Sequence, residues 1–297
     1  MSASSLTIGI PTYVGGPSLV KTVESLLSSE YRDFRLIVSV DGKKLDPEIK
    51  AAITKDPRVE VIENEVRRGQ VGGIRQIIGL NQSDLLFLTQ DDLLFDREMV
   101  GKIVALFEQD PVVTMVAAEG VPLPPAVLFE RVVHAGFYVA RRIERMWNQG
   151  DNYLLATGRG LAFRKPMADR IREEIQEEVI SCDAHFYFIN KKAGGKFAFA
   201  DGAKYYLRSP KTLHDHIKQS QKFLALPEEL KKYRGIDLDR EHPLPVEVKM
   251  RATVLEFLRN PFYLSLYMLV LFYTRLKKNP FLKASRFWDV DLSTKEI

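Results

Sequence analysis

The first 120 residues alternate between short apolar runs and longer stretches with the spacing of an amphipathic helix. The apolar runs, rich in Val, Ile and Leu, cover residues 6–10, 35–40, 59–62, 84–88 and 112–117. Between them lie four stretches with helical periodicity, at residues 18–28, 46–54, 70–80 and 97–108. Strands that alternate with helices predict βαβ units, and therefore an α/β fold with a mainly parallel sheet flanked by helices.

The pattern is less regular after residue 120. Pro122, Pro124 and Pro125 predict a loop. Three further elements are predicted: an extended run over 153–163, a helix over 183–192 and a strand over 196–206. From residue 226 the pattern is mostly helical, which predicts a helical C-terminal extension. We therefore divide the chain into a domain of residues 1–225, with halves at 1–120 and 121–225, and a C-terminal extension of residues 226–297.

Composition and charge exclude several classes of protein. Apolar residues make up 45% of the chain and charged residues 28%, the balance of an ordinary globular protein with a real core. The net charge of +4 is too small to indicate a nucleic-acid-binding protein, whose basic residues are concentrated on one face. The single cysteine, Cys182, cannot form an internal disulfide, which is typical of a reducing compartment and predicts a cytoplasmic protein.

The fourth apolar run ends in the sequence Thr89-Gln90-Asp91-Asp92. Ligands of open parallel sheets bind outside the carboxyl ends of the strands, so this end is expected to face a binding site. Two carboxylates at the tip of a buried strand are costly unless a positive charge neutralises them. Mg²⁺ and Mn²⁺ bind one or two carboxylates together with substrate phosphates. Asp91 and Asp92 therefore indicate a metal site; the alternative is that Asp91 caps the next loop and Asp92 is solvated.

Two other strand ends carry candidate ligand-binding residues. Asp41 follows the second run, where its carboxylate is placed to accept hydrogen bonds from a nucleobase or a ribose. The alternative is an Asp-Gly turn formed with Gly42. After the third run, the glycine-rich loop 64–76 leads into a helix and contains Arg67 and Arg75, a combination that suits anions. This loop matches neither a dinucleotide-binding fingerprint nor a P-loop.

Taken in order, Pro11-Thr12-Tyr13, Asp41, the glycine-rich loop and residues 88–92 resemble the inverting family 2 glycosyltransferases, which have the GT-A fold with a Rossmann-like sheet. Further segments that resemble the family are 158–165, Cys182-Asp183 followed by 194–200, and 212–223, together with the tail 288–295. The resemblance covers residues 6 to 223. It makes residues 1–120 the nucleotide-sugar-binding half and residues 121–225 the acceptor half.

The resemblance also implies a role for each matching residue. The nucleotide sugar would be bound by Pro11, Thr12, Tyr13, Asp41, Arg67, Arg75, Gln90, Gln219 and Lys222. Asp91, supported by Asp92, would bind Mn²⁺ or Mg²⁺. Asp183 would be the catalytic base that deprotonates the acceptor hydroxyl, and Gly158, Arg159 and Gly160 would lie near the acceptor. For Asp183 the alternative is that it, or Ser181, caps the helix running to Lys192.

The expected reaction is transfer of a sugar, with inversion, from a nucleoside diphosphate to a hydroxyl of a glycan or lipid-linked acceptor. We expect UDP rather than GDP or dTDP, and one or a few transfers, because the several transmembrane helices of a polymer-extruding synthase are missing from the pattern. The family's D-x-D is here Thr89-Gln90-Asp91, and its Q-x-x-R-W is Gln219-Ser220-Gln221-Lys222-Phe223. These departures motivate an alternative, a non-catalytic subunit that binds nucleotide or glycan at a membrane. His214 and His216 are interpreted as ordinary polar residues.

The C-terminal extension contains an uncharged, aromatic-rich run at residues 261–274. It is shorter than the roughly 20 residues of a transmembrane helix. Arg259 precedes it and Arg275, Lys277 and Lys278 follow it, an arrangement that suits a helix lying in a bilayer interface. We therefore predict peripheral membrane contact through residues 254–286, at the inner face of the membrane. The alternatives are a core helix and an oligomer interface.

Overall fold

A computed structural model describes residues 4–276 and 293–297, without the side chains of residues 221–223 and 293. Its strands are β1 (Leu6–Thr12), β2 (Phe34–Val40), β3 (Val59–Glu63), β4 (Leu85–Thr89), β5 (Leu93–Phe95), β6 (Val113–Pro122), β7 (Gly160–Arg164) and β8 (Lys196–Leu207). They form one sheet in the order β3-β2-β1-β4-β7-β6-β8-β5. The pairs β1–β2, β1–β4, β2–β3 and β6–β8 are parallel, and the other three pairs are antiparallel. The prediction of a mainly parallel α/β sheet is confirmed.

Helices lie on both faces of this sheet. The α-helices are α1 (Pro17–Leu27), α2 (Pro47–Ile53), α3 (Gly69–Leu80), α4 (Met99–Gln109), α5 (Leu128–Met146), α6 (Lys165–Glu174), α7 (Cys182–Lys192), α8 (Leu213–Arg234), α9 (Leu238–Glu241), α10 (Val246–Arg259) and α11 (Pro261–Leu276). Short 3₁₀ turns occur at Trp147–Gly150 and Ser293–Lys295. The predicted helical C-terminal extension is present as α9 to α11.

The alternating side chains of the central strands form two hydrophobic cores. Ile8 and Ile10 of β1 belong to the core that contains α1 and α4, whereas Leu86 and Leu88 of β4 belong to the core that contains α3, α6 and α7. All four side chains are at most 3% exposed. Because both faces of β1 and β4 are covered, their carboxyl ends are the strand termini left available for a ligand.

Two elements of the middle section differ from the prediction. Helix α5 occupies 19 residues directly after the proline-rich loop, where the sequence pattern was interpreted as irregular. Its first turn is fixed by Glu130, whose carboxylate accepts hydrogen bonds from the backbone N–H groups of Ala126 and Val127 at 2.5 and 3.1 Å. The predicted extended run over 153–163 is a strand only from Gly160, and the residues before it form turns and a loop.

The C-terminal helices pack on the preceding part of the chain. Helices α10 and α11 lie against α5, and the ring of Tyr267 covers Gly136 so closely that a side chain at this glycine would overlap it. Helix α8 runs across position 225, so the predicted border at 225/226 falls inside a helix. Within residues 4–276 and 293–297, no helix has both the length and the hydrophobicity needed to cross a bilayer.

Candidate functional site

A cavity of about 310 Å³ opens at the carboxyl ends of β1, β2 and β4. Its walls come from strand ends, from the start of α3, from the loops before β7 and α7, and from the C-terminal residues. The predicted site residues that line it are Pro11, Thr12, Tyr13, Asp41, Arg67, Gln90, Asp91, Asp92, Gly158, Arg159, Asp183 and Gln219. The fold therefore brings residues from both predicted halves of the domain to one cavity.

Asp41 fixes the loop that enters α3. Its carboxylate accepts hydrogen bonds from the backbone N–H groups of Arg68, at 2.6 Å, and Gly69, at 2.9 Å. These are donors at the start of a helix, which have no partner within the helix itself. Gly42 makes the turn that follows, with φ of +69°, and any side chain there would meet Arg67. Asp41 therefore forms the Asp-Gly turn and also lines the cavity.

An aromatic and a cationic side chain form one wall of the cavity. The guanidinium of Arg67 lies 3.7 Å from the ring centroid of Tyr13, within the range of a cation–π contact. The Nε atom of Arg67 lies 3.9 Å from the Asp41 carboxylate. Tyr13 and Arg67 both line the cavity, so these two contacts hold an aromatic ring and a cation together in its wall.

Asp91 is 7% exposed and lies at the centre of the predicted metal site. Its Oδ2 accepts a hydrogen bond from the hydroxyl of Thr12, and its Oδ1 is paired with the ammonium of Lys295. Asp92 lines the same cavity. Among residues 4–276 and 293–297, no group of three or more His, Cys, Asp or Glu side chains is placed to hold a metal.

The donor set nevertheless fits a divalent cation of the Mg²⁺ or Mn²⁺ type. Such ions commonly bind one or two carboxylates and complete their coordination with water and substrate phosphates. The ammonium of Lys295 already occupies a cation position on the Asp91 carboxylate. A buried carboxylate that holds a positive charge at the mouth of a cavity is the kind of group that would bind such an ion.

Asp183 is the second residue of α7 and lines the same cavity as Asp91. Its carboxylate accepts hydrogen bonds from the backbone N–H of Gly158, at 3.1 Å, and from that of Ala184, at 3.0 Å. Burial raises the pKa of Asp183, while these hydrogen bonds and the charge of Arg159 oppose the shift. The N-cap residue is Ser181, which makes no side-chain capping bond in the described part of the chain.

Two further residues shape the site but were not predicted from the sequence. Glu229 of α8 accepts hydrogen bonds from the backbone N–H groups of Ile180, at 2.8 Å, and Ser181, at 3.1 Å, so it holds the loop that leads into α7, in whose first turn Asp183 lies. Arg208, just after β8, lines the cavity and contacts the buried carboxylate of Glu130 at 3.4 Å. Both contacts join residues far apart in sequence, so no local motif marks them.

Several predicted site residues lie elsewhere. Arg75 does not line the cavity; its guanidinium lies 3.6 Å from the carboxylate of Glu177. Gly160 is buried in β7 against the ring of Tyr205. Lys222 belongs to α8, but its side chain lies outside the described residues, as do residues 277–292 of the predicted membrane segment and tail.

The two histidines of α8 also lie away from the cavity lining. His214 is exposed, and the ring of His216 packs 5.9 Å from the ring of Tyr267. Burial lowers the pKa of His216. These environments agree with the interpretation of both as ordinary residues.

The sequence matches the family model described as glycosyl transferase family 2 over residues 7–168, which is more than half of the chain. The chain belongs to this family. The matched region contains the strand ends with Thr12, Asp41 and Asp91 and the loop with Gly158. No curated protein matches the chain.

Solved structures agree on the fold. The chain superposes on the mannosyltransferase PcManGT from Pyrobaculum calidifontis, in complex with GDP-Man and Mn²⁺, with a TM-score of 0.59 and 16% identity over 94% of this chain and 77% of the other. It superposes on TarS from S. aureus with a TM-score of 0.55 and 12% identity over 92% of this chain and 87% of the other. At such identities the likeness establishes the fold, and the predicted GT-A fold is confirmed.

Proposed function

We propose that this family 2 glycosyltransferase transfers a sugar, with inversion, from a nucleoside diphosphate to a hydroxyl of a glycan or lipid-linked acceptor. UDP is the proposed nucleotide, and one or a few sugars are added in each encounter. The observation that carries the proposal is that Asp91 and Asp183 line one cavity at the carboxyl ends of the sheet. One carboxylate is suited to a cation beside a diphosphate, and the other to a base beside an acceptor.

The donor half of the cavity would hold the nucleotide. The stacked pair of Tyr13 and Arg67 offers a flat surface to the nucleoside, and Asp41 keeps the loop entering α3 in place. The backbone donors at the start of α3 and the guanidinium of Arg208 suit phosphate oxygens. Asp91 and Asp92 would hold Mn²⁺ or Mg²⁺, which when bound neutralises charge that develops on the leaving diphosphate.

Asp183 would act as the general base. Burial raises its pKa and so makes the carboxylate a stronger base than an ordinary aspartate, while the charge of Arg159 opposes this shift. The N–H of Gly158 would fix the orientation of the carboxylate, and Glu229 would fix the loop just before the helix that bears it. A hydroxyl held within hydrogen-bond distance of the free lone pairs of Asp183 would lose its proton as it attacks the sugar.

Peripheral membrane contact is part of the proposal. Helices α10 and α11 expose large apolar side chains, among them Leu258 (76%), Phe262 (66%), Leu269 (66%) and Phe272 (64%). Two exposed arginines flank the apolar run of α11: Arg259 is the last residue of α10, and Arg275 lies in the last turn of α11. Apolar side chains with flanking cations suit the interface of an anionic bilayer, where a lipid-linked acceptor would be presented.

The donor site is tested by calorimetric titration with UDP in Mn²⁺ and in EDTA. The wild-type protein should bind UDP at least about tenfold more tightly in Mn²⁺, since charge-assisted contacts contribute about 1.5–3 kcal/mol and each 1.4 kcal/mol is a factor of ten. Asp91→Ala should bind UDP equally in both conditions. The control is Asp169→Ala, which removes an exposed carboxylate on α6 paired with Lys165. Equal UDP affinity of the wild-type protein with and without Mn²⁺ would exclude the proposed metal role.

A further inference from the structure

The last residues of the chain return to the donor side of the cavity. The C-terminal segment, residues 293–297, begins as a 3₁₀ turn, and Thr294 and Lys295 form part of the cavity wall. The ammonium of Lys295 is paired with Oδ1 of Asp91, although the two residues are 204 positions apart in sequence. This end of the chain thus touches the carboxylate that is proposed to bind the metal.

Three further contacts hold the C-terminal segment in the cavity. The carboxylate of Glu296 is paired with Lys211, and its backbone carbonyl accepts a hydrogen bond from Nε of Arg208 at 3.2 Å. The carbonyl of Ile297 accepts a hydrogen bond from Lys21 of α1. Contacts of the two residues that follow Lys295 therefore hold this end of the chain beside the cavity.

Asp91 has little capacity left for a cation in this arrangement. Its Oδ2 accepts from Thr12 while its Oδ1 is paired with Lys295, and the side chains of Asp91 and Lys295 are only 9% and 14% exposed. A divalent ion that binds Asp91 needs one of these oxygens. The ammonium and the ion would also repel each other strongly at such a short distance in a weakly solvated site. The two cations therefore exclude each other on Oδ1.

We propose that the C-terminal segment closes the donor site, with Lys295 occupying the position on Asp91 that the divalent ion takes when the donor binds. The proposal rests on the metal role of Asp91 in the proposed function. Binding of the ion and the nucleotide then requires the segment to leave the cavity. Leaving is feasible because the carboxylate side of the Glu296–Lys211 pair is solvated, with the Glu296 side chain 65% exposed and that of Lys211 23% exposed, and ion pairs in contact with solvent contribute little to stability.

The test measures Mn²⁺ binding directly, from the electron paramagnetic resonance signal of the free ion during titration of the full-length protein. Lys295→Ala should bind Mn²⁺ about tenfold more tightly than the wild type, because the competing contact is lost; tenfold corresponds to 1.4 kcal/mol. Glu296→Gln, which weakens the anchor but keeps the ammonium, should tighten binding by a smaller factor. The control, Lys192→Ala, removes an exposed lysine at the end of α7 and should leave Mn²⁺ affinity unchanged.

A second measurement separates closure from an alternative role. If Lys295 is instead a ligand of the diphosphate, Lys295→Ala should weaken UDP binding in EDTA, and that result would overturn the proposal. Equal or weaker Mn²⁺ binding by Lys295→Ala would also overturn it, provided that the wild type binds Mn²⁺ and loses this binding in Asp91→Ala. A wild-type protein that binds no Mn²⁺ at all would refute the metal role of Asp91 itself, together with the closure that depends on it.

Discussion

Asp183→Asn distinguishes a general base from a structural carboxylate. An amide has the same size and shape as a carboxylate, but it cannot take a proton from the acceptor hydroxyl. If Asp183 is the base, the general-base contribution is lost, typically a factor of about 10²–10⁴ in kcat. Such a factor corresponds to about 3–5 kcal/mol of activation free energy.

The structural cost of the same change is small. Asp183 accepts two backbone hydrogen bonds, from Gly158 and Ala184. Asparagine keeps one acceptor oxygen and so loses one of them, which costs about 0.5–1.5 kcal/mol of folding stability. Because burial disfavours the charged carboxylate and raises its pKa, a neutral amide recovers part of this loss. We therefore expect the unfolding free energy to change by less than about 1.5 kcal/mol.

The assay is sugar transfer at saturating donor, with UDP affinity measured in parallel. Asp183→Asn should lose transfer and keep UDP affinity, and the wild-type rate should fall with decreasing pH through a pKa above the ordinary aspartate value of 3.8. The matched control is Asp151→Asn, which removes a carboxylate paired with Lys191 at the other end of α7. Near-normal transfer by Asp183→Asn, with or without a loss of stability, would remove this residue from the mechanism.

Two other regions give predictions of their own. Leu269→Ser combined with Phe272→Ser should lower the affinity for anionic vesicles, measured by cosedimentation, by a hundredfold or more, because each buried side chain contributes about 1.5–3 kcal/mol. The control Val112→Ser, at another exposed position, should leave this affinity unchanged. Unchanged vesicle binding by the double variant would refute the membrane contact. Burial lowers the pKa of His185 to about 3, below the unfolded value near 6.5, so protons bind the unfolded chain first. The free energy of unfolding, measured with urea, should therefore fall by about 1.6 kcal/mol from pH 6.5 to pH 5, a loss that His185→Gln should lack.

The donor half of the site could be predicted because its residues lie at the ends of strands or directly after them in the sequence. Hydrophobic runs locate the strands, the βαβ rule makes them parallel, and parallel strands bring Thr12, Asp41 and Asp91 to one edge. The same rule does not fix the direction of a side chain within a helix. Arg75 lies in α3 beside the glycine-rich loop, yet its guanidinium faces Glu177.

Helix α5 shows a different limit. Its apolar positions 129, 132, 133, 136 and 137 have helical spacing, but the proline cluster before them predicts a loop, and the pattern after residue 120 was interpreted as irregular. The helix forms because α10 and α11 cover its apolar face, and this packing is a long-range contact that a local window does not contain. Glu229 and Lys295 were missed for the same reason, since each acts on a residue about 50 or more positions away.

Helix α8 connects the two sides of the cavity. Gln219 in its first half lines the cavity, and Glu229 three turns further on holds the loop that leads into α7, where Asp183 lies. A border at residue 225 would divide these two functions, although one continuous helix performs both. Gly235, with φ of +70°, ends the helix in the left-handed conformation that commonly terminates helices. A border placed after Gly235 would keep Glu229, which supports the proposed base, in the same unit as Asp183. Helices α10 and α11, which pack on α5 and expose large apolar side chains, would follow that border.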